Sequence, residues 1–266
     1  MSKDLEKIYV IKIGGNVIND PEKLAAFLAK VASTKGRKIV VHGGGKLVNQ
    51  LADKLGIVQQ MVNGRRITDT ETLELTAMIY AGLINKKIVA TLQANGCNAI
   101  GLSGADGNSI LAQKRPVGEI DFGWVGDVKE INTLLINQLL SAGITPVFCS
   151  ITHNAQGQLL NTNADTIAST VATALAATQP VRLVYCFEKK GVLADINDDN
   201  SLITSINPEK YTQLLADGIV ADGMIPKLEN AFAAIAKGVQ AVTICNDNDI
   251  VEILENAPDY GTTLTK

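Results

Sequence analysis

Six short apolar runs constrain the fold more than any other feature of this sequence. They are residues 8–13 (IYVIKI), 38–42 (KIVVH), 97–102 (CNAIGL), 145–149 (TPVFC), 181–186 (VRLVYC) and 239–245 (VQAVTIC). Most are continuous rather than alternating, as expected for strands covered on both faces. Longer helical patterns lie between them, at 21–34, 45–55, 69–94, 132–142, 163–178, 207–217 and 223–237. Strands that alternate with helices imply a largely parallel sheet between helical layers. Residues 103–128 break this rhythm with Gly, Asp and Lys, and read as hairpins near a site.

A chain of 266 residues is long enough for one large α/β unit or two lobes sharing a sheet. The break at ATQP divides it into an N-terminal lobe, 1–178, and a C-terminal lobe, 179–266. Net charge is −3 with no basic block, which argues against nucleic acid as a partner. No uninterrupted apolar run approaches the ~18–20 residues of a membrane span, and the N-terminus has no signal-peptide pattern. The expected location is the cytoplasm, without a membrane partner. Four dispersed cysteines and two histidines read as buried free thiols without a zinc site, and no protein metal centre is expected.

Three glycine-rich turns follow strands: IKIGGN (Lys12 to Asn16), VHGGGK (His42 to Lys46) and GLSGADG (Gly101 to Gly107). A strand–glycine turn–helix unit gathers backbone N–H groups at the edge where open α/β sheets bind ligands, and such groups favour anions. None of the turns is a P-loop or a G-x-G-x-x-G fingerprint. Lys12 interrupts an apolar strand two residues before Gly14, so its head either snorkels to water or meets an anion. Within NTNAD, any of Asn161, Asn163 and Asp165 can cap the following helix, and the cluster holds more polar groups than a cap needs. Lys227 lies in a helix's first turn, after Pro226 and a cap at Asp222 or Gly223. A cation there opposes the helix dipole, so it serves either solvent or a bound phosphate. Arg66 is either a solvated loop residue or a carboxylate clamp.

In order and spacing, IKIGGN, VHGGGK, NGRRIT, GLSGADG, GWVGDV, LLNTNADTIAS, KKGVL and DGMIPKLENA resemble the amino-acid kinase family from near residue 8 to the C-terminus. The resemblance implies a three-layer α/β/α sandwich around a mainly parallel, roughly eight-stranded sheet. It implies transfer of a phosphoryl group from ATP, carried with Mg²⁺ on its phosphates, to the γ-carboxylate of N-acetylglutamate. N-succinylglutamate is the alternative acceptor, with Arg65, Lys114 or Arg115 as the extra cation. The rivals are another small-carboxylate kinase of this fold and a non-catalytic amino-acid sensor.

Carried over by position, Lys12 and Lys227 stabilise the transferring group and Asp165 holds both lysines. Gly44, Gly45, Arg66 and Asn161 bind the acyl-amino acid, with Arg66 on its α-carboxylate. Gly14 and Gly15 meet the ATP phosphates. Glu188, Lys189, Gly191, Val192 and Leu193, with Ile219 to Ala221, form the nucleotide region. The Glu188-Lys189-Lys190 stretch departs from the family's usual D-V-x-G-V. The two termini lack the features of hexameric, arginine-inhibited members, so the expectation is a homodimer without arginine feedback.

Overall fold

The computed structural model describes residues 7–62, 65–195, 197–198, 200–220, 224–257 and 259–266. Asn63 and Gly64 of the NGRRIT turn, the caps Asp222 and Gly223, and Ala221 lie outside the described residues.

The strands are β1 (Ile8–Ile13), β2 (Arg37–His42), β3 (Gln60–Val62), β4 (Arg65–Ile67), β5 (Ala99–Leu102), β6 (Ile110–Lys114), β7 (Gly126–Ile131), β8 (Thr145–Cys149), β9 (Ile151–His153), β10 (Leu159–Asn161), β11 (Val181–Phe187), β12 (Ser205–Ile206), β13 (Ala241–Asn246) and β14 (Thr262–Leu264). The helices are α1 (Gly15–Asn19), α2 (Pro21–Ser33), α3 (Gly45–Leu55), α4 (Thr70–Ala94), α5 (Thr133–Ser141), α6 (Ala164–Ala176), α7 (Pro208–Ala216), α8 (Ile225–Ala236) and α9 (Ile250–Leu254).

Eight strands form the main sheet, in the order β12-β14-β13-β11-β1-β2-β8-β5. All six apolar runs of the sequence lie in it, and they pair in parallel. β14 pairs antiparallel with β13 and parallel with the edge strand β12, so the sheet changes direction between β13 and β14. β1 pairs directly with β11, which makes the sheet continuous across the expected lobe division at 178/179. A second sheet, β10-β9-β6-β7, contains the hairpin expected within 103–128.

Side-chain parity divides the core in two. In β1, Ile8 and Val10 pack with α5, α6, α7 and α8 on one face. Tyr9, Ile11 and Ile13 pack with α2, α4 and α9 on the other. Strand residues alternate between faces, so Lys12 emerges on the face of α6 and α8. By the same rule Tyr185 and Phe187 share that face, whereas His42 leaves β2 toward α4.

α4 is 25 residues long and, among the described residues, is the one helix long and apolar enough to cross a membrane. The sequence predicts this helix over 69–94, and the polar residues that punctuate it keep each uninterrupted apolar run short. Its Leu73, Leu75, Ile79, Ile84, Ile88 and Leu92 are buried in the core. Asp69 caps its start by accepting from the Thr72 N–H. Met78–Ile84 within it forms a π-helical turn, which the sequence did not signal. Three of the four cysteines are buried and all are free.

Candidate active site

The strand ends at the C-terminal edge of the sheet open into a cleft of about 780 Å³. Lys12, Gly15, Gly44, Gly45, Arg66, Asn161, Asp165 and Lys227 all line it. Gly14, Glu188, Lys189, Gly191, Val192, Leu193 and Ile219 are not on its lining.

The cleft is anchored by an ion pair between Lys12 Nζ and Asp165 Oδ1 at 2.9 Å. The helix cap explains why this carboxylate is available. Asn163 caps α6, its side-chain oxygen accepting from the N–H groups of Asp165 and Thr166. Asp165 is thereby relieved of the capping role and points across to the strand. Lys227 approaches from the first turn of α8, after Pro226. Its Nζ lies 4.2 Å from the centre of the Phe187 ring, and Lys12 Nζ lies 5.3 Å from the same centre. Two cations over one aromatic ring gain from its negative quadrupole. The ion pair found for Asp165 among the described residues is with Lys12; Lys227 is positioned over Phe187 instead. Phe187 had no sequence signal, because an aromatic ending an apolar run reads as core. Tyr185 stacks on it, with ring centres 6.1 Å apart. Burial first, and the Asp165 charge second, push the Tyr185 phenol up.

The second glycine turn faces this pair across the cleft. Gly44 has φ +147, and a Cβ there would meet Ile84 Cδ1 at 2.1 Å, so only glycine fits. Arg66 comes from β4, in a three-residue hairpin too short and exposed to read from sequence. Its guanidinium donates to Gly45 O at 3.1 Å, to Asn49 Oδ1 at 2.7 Å, and to Gln59 Oε1. It is 8% exposed, and desolvation lowers its pKa. Asn161 ends β10 and donates to Thr68 Oγ1 at 3.1 Å. Of the three extra cations, Arg65 and Arg115 line the cleft and Lys114 does not. Arg115 is already held by Asp127 through bonds of 2.6 and 3.1 Å.

The first glycine turn is fixed by packing. A Cβ on Gly14 would meet the Cys186 carbonyl oxygen at 2.5 Å, whereas Gly15 has open space on that side. The KKGVL segment continues from β11 toward the C-terminal strands. Val192 donates its N–H to Thr262 Oγ1 at 2.7 Å, and a Cβ on Gly191 would strike that hydroxyl. Val192 and Leu193 are buried, Leu193 bridging to Leu202. Asn246 donates to Glu188 O at 2.6 Å. Ile219 follows α7, its N–H bonded to Leu214 O. The third glycine turn is off the cleft lining. Its Gly101 and Gly104 make room for Asn85 and Ile110 rather than for an anion. Asp165 is the single carboxylate on the cleft wall among the described residues, and these residues contain no cluster of three metal-ligating side chains.

Residues 7–246 match the amino acid kinase family model. Acetylglutamate kinase of Cytophaga hutchinsonii is 53% identical over 98% of this chain and 99% of its own length. Acetylglutamate kinase of Phocaeicola vulgatus is 53% identical over 90% of this chain and 93% of its own. Among solved structures, N-acetylglutamate synthase from Neisseria gonorrhoeae, complexed with coenzyme A and N-acetyl-glutamate, aligns with a TM-score of 0.79. That match is 22% identical and covers 99% of this chain and 60% of the other, so it is a likeness of fold.

Proposed function

The chain belongs to the amino acid kinase family, and from that premise we propose that it phosphorylates the γ-carboxylate of N-acetylglutamate with ATP, in arginine biosynthesis. The product is N-acetylglutamyl 5-phosphate. The observation that carries this reading is the convergence of Lys12 and Lys227 over Phe187 in a cleft faced by Gly44, Gly45 and Arg66.

The chemistry needs little from the protein beyond charge and placement. A carboxylate nucleophile is ionised at neutral pH, so no general base is required. The obstacle is repulsion between two anions while charge spreads over the oxygens of a metaphosphate-like transition state. Lys12 and Lys227 offset that charge, and Asp165 fixes Lys12 at the strand end. Gly44 and Gly45 offer backbone N–H groups to the acceptor, Arg66 takes its α-carboxylate, and Asn161 supplies a further polar contact. Gly14 and Gly15 turn the chain beside the ATP phosphates. Segment 188–193 and Ile219 contact the nucleotide, with Val192 and Leu193 contributing backbone because their side chains are buried. ATP arrives as its magnesium complex, the metal held by the phosphates, which suits a wall with one carboxylate. The N-terminal lobe thus takes the acyl-amino acid and the C-terminal lobe the nucleotide.

The reaction belongs in the cytoplasm, where ATP and amino-acid precursors are available. A homodimer is supported by the open edge strand β5 and by the exposed Met78, Leu83 and Ile100 on α4 and β5. The test is an ATP-dependent assay that traps the acyl phosphate with hydroxylamine. It compares N-acetylglutamate, N-succinylglutamate, glutamate and carbamate. N-acetylglutamate should give the highest kcat/KM, and turnover of none of the four would leave only a sensor.

A further inference from the structure

The second glycine turn rests on a buried polar chain that the proposed reaction does not use. His42 is fully buried on the face opposite Lys12. Its Nδ1 is 2.9 Å from the carbonyl oxygen of Gly43, and its Nε2 is 3.1 Å from Asn85 Nδ2. Asn85 Nδ2 also donates to Val147 O at 2.9 Å, and Lys86 Nζ donates to Asn85 Oδ1 at 3.2 Å. Carbonyl acceptors at both ends fix every proton in this chain. The Val147 carbonyl and the Lys86 ammonium together orient the Asn85 amide. The amide's second N–H then faces Nε2, which must accept. The single proton of a neutral imidazole therefore sits on Nδ1 and is donated to Gly43.

The placement of Asn85 depends on the π-helical turn Met78–Ile84, which immediately precedes it. The same turn presses Tyr80 and Ile84 against Gly44. A Cβ on Gly101 would fall 1.9 Å from Asn85 Oδ1, so β5 is also shaped around this amide. π-helical turns are rare and cluster at functional sites.

We propose that His42 and Asn85 are positioning residues for the acceptor subsite, acting through the peptide between Gly43 and Gly44. That peptide is trans, so its C=O and N–H point in opposite directions. Tying Gly43 O to the buried imidazole turns the Gly44 N–H away from the core and toward the cleft lined by Gly43, Gly44 and Gly45. The inference rests on the reading that this cleft binds N-acetylglutamate.

The test has two arms. The sequence contains two histidines, His42 and His153, so ¹⁵N-histidine labelling of the wild-type protein reports the His42 tautomer without any variant or substrate. The neutral Nδ1–H form is expected, and an Nε2–H form overturns the proposal. In the kinetic arm, His42→Leu removes the donor and should raise KM for N-acetylglutamate roughly tenfold, the scale of one lost hydrogen bond. KM for ATP should stay within about twofold. His42→Asn, which restores a donor near the Nδ1 position, should recover most of the loss. A folded His42→Leu with wild-type KM for the acceptor overturns the positioning role, as does an equal rise in both KM values. Wild-type protein that turns over no acyl-glutamate overturns the functional reading instead, while the tautomer is read independently of it.

Discussion

The Lys12 ammonium sits 2.9 Å from the Asp165 carboxylate, although 152 positions of chain separate them in sequence. Strand parity sends Lys12 to the α6 face, and the Asn163 cap leaves Asp165 free to meet it. If the carboxylate acts by orienting this lysine, their removal should not be additive. Lys12→Ala should lower kcat roughly 10²–10³-fold, on the scale of a lost oxyanion donor. Asp165→Asn should lower it about tenfold or more, and the double variant little beyond Lys12→Ala. Hydroxylamine-trapped initial rates measure all three. Losses that multiply would mean Asp165 acts elsewhere, and near-full turnover in Lys12→Ala would remove the kinase assignment.

Phe187 supports both cations, so its loss should affect turnover more than acceptor binding. Cation–π contacts contribute about 0.5–2 kcal/mol each, depending on desolvation. Phe187→Leu keeps an apolar side chain but loses the ring's quadrupole, and should reduce kcat about three- to thirtyfold. Phe187→Tyr should remain within about threefold of wild type. Steady-state kinetics with thermal melting as the folding control separates a catalytic effect from simple destabilisation. An unchanged kcat in Phe187→Leu would show that the lysines are placed without the ring.

The two residues of the first glycine turn should respond in opposite ways to the same substitution. Gly14→Ala puts a methyl 2.5 Å from the backbone oxygen of Cys186, where no side chain can move aside. Destabilisation of about 1–3 kcal/mol is expected, the usual scale for overpacking. Gly15→Ala meets nothing within 4 Å and should melt like the wild type. If the turn lies against the ATP phosphates, the Gly15→Ala methyl enters the ligand's space. KM for ATP should then rise several-fold while KM for N-acetylglutamate holds. An unchanged KM for ATP would place the phosphates elsewhere.

The frame of the sheet was legible because burial on both faces leaves continuous apolar runs, and these runs became six consecutive parallel strands, from β13 to the edge strand β5. Glycine turns marked the cleft edge, since a φ such as that of Gly44 restricts the choice of residue. Legibility failed where structure depends on contacts remote in sequence. The β3–β4 hairpin carrying Arg66 is three residues on each side, and Gln60 and Met61 are exposed, so no burial pattern betrays it. The π-helical turn hides inside a long helix, because one wider turn shifts the apolar stripe without breaking it. Phe187 reads as core until two lysines from other elements are seen above it. Gly101 opens a glycine-rich turn of the kind that favours anions, yet its missing Cβ accommodates Asn85.

His42 also sets a pH signature for stability. Desolvation lowers its pKa from 6.5 to about 4; the Gly43 carbonyl opposes the shift, and the nearby Lys86 charge adds to it. Between those two values the unfolded chain binds a proton that the native protein excludes. The unfolded state then carries more protons, so unfolding free energy rises with pH and falls on acidification. The slope from this residue is about 1.4 kcal/mol per pH unit, or roughly 2 kcal/mol between pH 6.5 and 5. About a unit above pH 6.5 the imidazole is neutral in both states, and the term is flat. Denaturant unfolding at pH 7.5 and pH 5 should therefore show a steeper loss in the wild type than in His42→Asn, which has nothing to protonate there. Comparing the two proteins cancels the carboxylates, which titrate alike in both. An equal decline in the two would mean that the folded protein takes up the proton as readily as the unfolded chain, leaving the imidazole charged by pH 5. It could not then accept from Asn85, and the proton chain beneath Gly43 would have to run another way.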